Sequence, residues 1–72
     1  MAKGNGAVYR VTDVIGTSAD SWEDAARSAV KMASKSLRDL RIAEVTKLDV
    51  KVENGKITQF RTRLSLSFKY SS

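Results

Sequence analysis

The chain has 72 residues and a formal charge of +5 at pH 7, and it contains no cysteine, histidine or proline. That length excludes a second domain. The missing thiols and imidazoles exclude disulfides, zinc sites of ordinary ligand chemistry, and the commonest catalytic base and nucleophile. A domain this small buries only about 60% of the surface that its unfolded chain exposes. It needs a further source of stability, and association with copies of itself is the one left. No run approaches the roughly 18 apolar residues of a membrane span. Met1 to Gly6 lacks a signal-peptide core and reads as a flexible lead, which leaves residues 7–72 as one domain with an expected cytoplasmic location and no membrane partner. The positive charge suits acidic or phosphate-bearing partners, although composition sets no site.

β-branched residues and Tyr9 predict a first strand over about Ala7 to Ile15, ended by Gly16. Thr17-Ser18-Ala19-Asp20-Ser21 is dense in helix-capping side chains. Ser18 or Ser21 can accept from an orphan backbone N–H, and Asp20, Glu23 and Asp24 suit the positive end of a helix dipole. The helix itself is expected from about Asp20 to Asp39 or Leu40. Trp22, Ala25, Ala26, Ala29, Val30, Ala33, Leu37 and Leu40 recur at helical spacing, and an alanine-rich stripe of this kind lets a helix lie close to a sheet.

Two further strands are expected over about Ile42 to Val52 and Ile57 to Tyr70. The second places Ile42, Glu44, Thr46, Leu48, Val50 and Val52 on one face. The third places Phe60, Thr62, Leu64, Leu66, Phe68 and Tyr70 on one face, with Arg61, Arg63, Ser65, Ser67 and Lys69 on the other. Asn54-Gly55 invites a two-residue hairpin loop. That loop would set the apolar face of one strand against the polar face of the other, so a three-residue loop, Glu53-Asn54-Gly55 with Gly55 left-handed, is preferred. Leu48 would then face Phe60, Val50 would face Thr58, and Lys47 would face Arg61. The expected fold is α+β: a β-α-β-β chain whose three-stranded antiparallel sheet, in order 1-3-2, packs on one long helix.

The other face of this sheet carries Lys47, Lys51, Arg61, Arg63 and Lys69. Like charges directly opposite one another destabilise a strand pair. Lys47 and Arg61 therefore want a counter-charge, supplied in part by Asp49 and otherwise by a partner subunit or a bound anion. Such a face could also track a phosphate backbone. The aromatic residues Phe60, Phe68 and Tyr70 have core parity instead of forming a base-stacking platform, which argues against nucleic acid. Asp20, Glu23 and Asp24 could offer oxygens to calcium, but such a cluster more often answers the helix dipole. No catalytic constellation and no phosphate-cradling glycine loop is found.

Tyr9-Arg10-Val11, then Val14-Ile15-Gly16-Thr17-Ser18, the alanine-rich helix, Glu44-Val45 and the ending Leu64-Ser65-Leu66-Ser67-Phe68-Lys69 together resemble the dodecin family over about Tyr9 to Tyr70. The resemblance implies a β-α-β-β subunit in a hollow homododecamer of cubic symmetry, which can be viewed as four trimers. It also implies a storage and protective role without catalysis, with flavin pairs stacked between tryptophans. Some members bind coenzyme A.

The departures bear on ligand choice. Ile42 stands at the position of the flavin-stacking tryptophan and Arg41 at that of the preceding aspartate. Arg61 replaces a flavin-bonding glutamine, and Asp49 replaces an arginine. Without an aromatic face at Ile42, a stacking contribution of about 0.5–1.5 kcal/mol per aromatic pair is lost, so flavin (FMN or riboflavin) binding is expected to be weak or absent. Glu44 and Lys69 resemble the family's structural ion pair, within or between subunits, with lysine lacking the arginine fork. Ser21-Trp22-Glu23 and Arg41-Ile42-Ala43 resemble a flavin-poor subgroup linked to calcium. Arg41, Ile42, Asp49 and Arg61 are thus the expected lining of a pocket for a small anionic ligand or ion, beside a basic face that includes Lys47 and Arg63. The same four residues could equally serve only to join subunits, through a salt bridge from Asp49 to an arginine.

Overall fold

The computed structural model of the chain describes residues 7–36 and 38–69. The expectations for the lead Met1 to Gly6, for Leu37 in the helix stripe and for Tyr70 in the third strand lie outside the described residues. Four elements follow in order: β1 (Tyr9–Ser18), α1 (Trp22–Ser36), β2 (Leu40–Glu53) and β3 (Lys56–Lys69). The strands form one sheet in the order β1-β3-β2, and both pairings are antiparallel, as the alternation on β3 implies.

Gly16 does not end β1. It lies inside the strand opposite Thr62 and is buried, because α1 crosses directly above it. A Cβ there would stand 2.0 Å from the Ala25 carbonyl oxygen and 2.9 Å from the Ala29 Cβ. The glycine is a close-approach residue, a role that strand glycines take as readily as breaking a strand. The helix starts where its caps place it. Ser21 Oγ accepts from the Asp24 N–H at 3.0 Å, Ser18 Oγ accepts from the Asp20 N–H at 2.9 Å, and the Ser18 hydroxyl donates to Asp24 Oδ2 at 2.7 Å. Its end comes earlier than the apolar spacing suggests. Asp39 takes a left-handed φ of 58°, its carbonyl accepts from the Lys69 N–H, and Leu40 already belongs to β2.

The hairpin also differs from expectation. Asn54 (φ 52°) and Gly55 (φ 75°) are both left-handed and close a two-residue loop, with Glu53 opposite Lys56 and Val52 opposite Ile57. The polar-on-apolar mismatch that argued against this loop is removed one step later. Between Val52/Ile57 and Lys51/Gln59, β3 carries Thr58 as an extra residue. Beyond this bulge Val50 faces Phe60, Asp49 faces Arg61, Leu48 faces Thr62 and Lys47 faces Arg63, so Lys47 does not oppose Arg61. A second irregularity at Thr46, whose hydroxyl donates to the Arg63 carbonyl, inverts the parity of β2. Val45 and Ala43 then join Leu48 and Val50 on the helix side, opposite Leu64 and Leu66, while Glu44 and Ile42 turn to the outer face opposite Ser65 and Ser67. A third, at Arg41, precedes Leu40.

The core is small. Ala25, Ala29 and Ala33 of α1 and Leu64, Leu66 and Phe68 of β3 are the buried apolar residues, with Val14, Ala26, Val30 and Leu40 partly buried around them. Thr62, 1% exposed, satisfies its hydroxyl by donating to the Trp22 carbonyl at 2.9 Å. A 15-residue helix is about 22 Å long, whereas 14-residue strands run to about 46 Å, so much of the sheet has no cover. The chain exposes 5453 Å², against about 4400 Å² expected for a globular monomer of its mass. Its radius of gyration is 15.4 Å, against about 11 Å for a compact domain of this length.

Gly16→Ala tests the close approach of helix and strand. The added Cβ meets backbone instead of a flexible side-chain tip, so a loss at or above the upper end of the roughly 1–3 kcal/mol range for overpacking is expected. The urea midpoint reads it, and an unchanged or raised midpoint would contradict this packing.

Candidate functional site

The outer face of the sheet, away from α1, holds the charged residues. At one row Asp49 lies opposite Arg61 and closes a two-bonded fork, with Arg61 Nε donating to Asp49 Oδ1 at 2.7 Å and Nη2 donating to Oδ2 at 3.0 Å. The hydrogen bond from Arg61 holds the Asp49 carboxyl below its usual range against the opposing effect of desolvation, and the charges of Arg61, Arg63 and Lys47 add to the lowering. The same contact raises Arg61. One row along, Lys47 and Arg63 face each other across the strands. The next row aligns Asp13 of β1, Ser65 of β3 and Glu44 of β2.

The other face of β2 contributes apolar surface. α1 lies mainly over β1 and β3, so Val45 (50% exposed) and Leu48 (53% exposed) border open clefts of 390 and 340 Å³ between helix and β2. Trp22 closes the end of this groove. Its indole N–H donates to the Asp49 carbonyl at 3.0 Å, and its ring meets Phe60 edge-on with centroids 5.1 Å apart. Sequence reasoning missed this groove because the inversion at Thr46 turns Val45 toward the helix. The apolar Val45, out of phase with Leu48 and Val50, was the available signal.

The four residues expected to line one pocket are not brought together within a single chain. Asp49 and Arg61 are paired, but Ile42 lies opposite Ser67, seven positions from Asp49 and about 20 Å along the strand. Arg41 sits at its irregularity 3.8 Å from Asp39, at the edge of a separate polar cleft of 590 Å³ that Lys35 and Arg38 also line. Glu44 and Lys69 form no ion pair within the chain. Glu44 lies opposite Ser65, and Lys69 stands about 13 Å further along β3, opposite Tyr9. The acidic candidates Asp20, Glu23 and Asp24 serve the start of the helix, where Asp24 is engaged by Ser18. Among the described residues, no three aspartate or glutamate side chains are grouped so as to hold a metal.

These features define a class: a small α+β subunit with one short helix on a long, bulged hairpin, charged on one sheet face and apolar in an open groove on the other. The Dodecin family model matches residues 8–71, and the chain belongs to the dodecin family. The chain is 50% identical over 64 residues to calcium dodecin of Mycobacterium tuberculosis, a match that covers 88% of this chain and 89% of that protein. The solved structure of that calcium-chelating antigen, described as having a novel calcium-binding site, aligns with a TM-score of 0.79 at 48% identity, covering 89% of this chain and 91% of the other. Dodecin from Streptomyces coelicolor aligns with a TM-score of 0.88 at 38% identity, covering 96% and 99%. Among the described residues no helix is long and apolar enough to cross a membrane.

The lowered Asp49 carboxyl has a consequence for stability against pH. A group whose folded value is depressed contributes above its ordinary range and loses that contribution as pH falls through the folded value. The stability difference between the natural chain and Asp49→Asn should therefore be constant near neutrality and close in the acid range below ordinary carboxylates. Urea midpoints across pH measure it, and a gap unchanged down to the acid limit would contradict the pairing.

Proposed function

We propose that the chain is a non-catalytic, homo-oligomeric binding protein that takes up calcium in preference to flavin and works as a shell of twelve copies in the cytoplasm. The observation that carries this reading is the 50% identity to calcium dodecin over nearly the whole chain. Two features of the molecule support it. Ile42, at the position where a flavin dodecin is expected to stack its tryptophan, is an aliphatic side chain 59% exposed on the outer face of β2. The apolar residues left open on both faces, among them Val11, Ile15, Val45, Leu48 and Val52, are of the kind that a further copy would cover.

A calcium ion takes six to eight oxygen ligands, and the described residues of one chain do not group enough carboxylates to supply them. The reading therefore assigns the ion to surfaces shared between copies. Absence of catalysis rests on the absence of histidine and cysteine from the sequence, which removes the commonest general base and nucleophile.

Calorimetric titration of chelator-treated protein with calcium, set beside a riboflavin titration followed by fluorescence, tests this reading. Saturable calcium binding with riboflavin fluorescence left unquenched is the expected pair of results. Strong quenching of riboflavin without calcium binding would overturn the preference.

A further inference from the structure

The row in which Lys47 faces Arg63 goes beyond the calcium reading and does not rest on it. Directly opposed like charges destabilise a strand pair, and the register places these two cations side by side on the outer face. On one side of this row Asp49 is committed to Arg61 through both of its oxygens; on the other, Asp13 and Glu44 lie level with Ser65 and are in ion-pair contact with neither cation. Neither Lys47 nor Arg63 takes part in the ion pairs Arg41–Asp39, Lys51–Glu53 and Arg61–Asp49. The backbone beneath them is held in place. The Thr46 hydroxyl is bonded to the Arg63 carbonyl at 3.2 Å, and the register that follows the Thr58 bulge sets Lys47 opposite Arg63 on the outer face.

A guanidinium presents a planar fork that matches two oxygens of a tetrahedral oxyanion, and an ammonium adds a movable point charge beside it. We propose that Lys47 and Arg63 form a binding site for a phosphate group, with Arg61, already occupied by Asp49, as its neutralised border. The ligand class is inorganic phosphate or the terminal phosphate of a small phosphorylated molecule. The bound anion supplies the counter-charge that the Lys47–Arg63 row itself lacks. The site is distinct from the polar cleft at the end of α1, where Arg41 and Asp39 are already in contact.

Titration of the assembled protein with inorganic phosphate at low salt, followed by phosphorus NMR line width, tests the site. Saturable broadening is expected for the natural chain, and raising salt from about 10 mM to 1 M, which shrinks the screening length from about 30 Å to 3 Å, should weaken it markedly. Lys47→Gln/Arg63→Gln should reduce the affinity at least tenfold, whereas Arg38→Gln, in the other cleft, should leave it unchanged. Lys47→Glu guards against a fold defect. It places a carboxylate opposite Arg63, and it should raise the urea midpoint while abolishing phosphate binding. Absence of saturable binding to the natural chain, as when a carboxylate of another copy already fills the site, would overturn the proposal. So would binding that survives in Lys47→Glu or that is lost in Arg38→Gln.

Discussion

The contact on which the rest of the subunit depends is the seating of a nearly all-alanine helix face on β3. Ala29 and Ala33 pack with Leu64, Leu66 and Phe68, and the small residues of this face, Ala25 included, bring the helix so near that Gly16 has no room for a Cβ beneath it. Close seating gives dense packing, but alanine contributes little area. Each fully buried large side chain is worth about 1.5–3 kcal/mol, and among the described residues only Leu64 and Leu66 are large apolar side chains so fully enclosed, with Phe68 next. The helix also spans barely half the length of the hairpin that it covers. A subunit built this way leaves the flank of β2, with Val45 and Leu48, and the far end of the hairpin, with Val52 and Ile57, open to water. The proposed self-association would cover surface left open by the same choice of residues that makes the core.

The outer face obeys a second constraint. Its rows alternate between a satisfied pair, Asp49 with Arg61, and an unsatisfied one, Lys47 with Arg63. Exposed pairs contribute little to stability, so the interest of these rows lies in selectivity. The proposed phosphate site rests on two cations in one row, Lys47 and Arg63, beside an internally closed ion pair. Ile42 on the same face offers no ring for an aromatic ligand to stack on. The face combines charged rows with exposed aliphatic side chains, Val11, Ile15 and Ile42.

Much of the architecture was legible in the sequence. Strict alternation along β3, the capping cluster from Ser18 to Ser21 and the alanine stripe lead to β-α-β-β with β3 central, and each of these rests on a period or a cap with a physical cause. What could not be read were the three irregularities. An extra residue at Arg41, Thr46 or Thr58 depends on two residues opposing one across a strand pair, and the local residue types mark it only at Thr46, through a Val45 out of phase with Leu48 and Val50. Those three residues decide the geometry of the candidate sites. The shift at Thr58 moves Arg61 opposite Asp49 and Arg63 opposite Lys47, and the inversion at Thr46 sends Val45 to the helix side and Glu44 to the outer face. Asn54-Gly55 did signal its own turn, and the parity argument against it failed only because a bulge could restore the match. Gly16 was read as a strand end since its actual role, close approach of another backbone, involves residues distant in sequence.

The central claim is that this subunit completes its surface only with further copies of itself. Native mass spectrometry of the purified protein, paired with unfolding at several protein concentrations, tests it most directly. A mass of twelve subunits with an unfolding midpoint that rises with concentration is the predicted result. A monomer at micromolar concentration, unfolding at a midpoint independent of dilution, would contradict it.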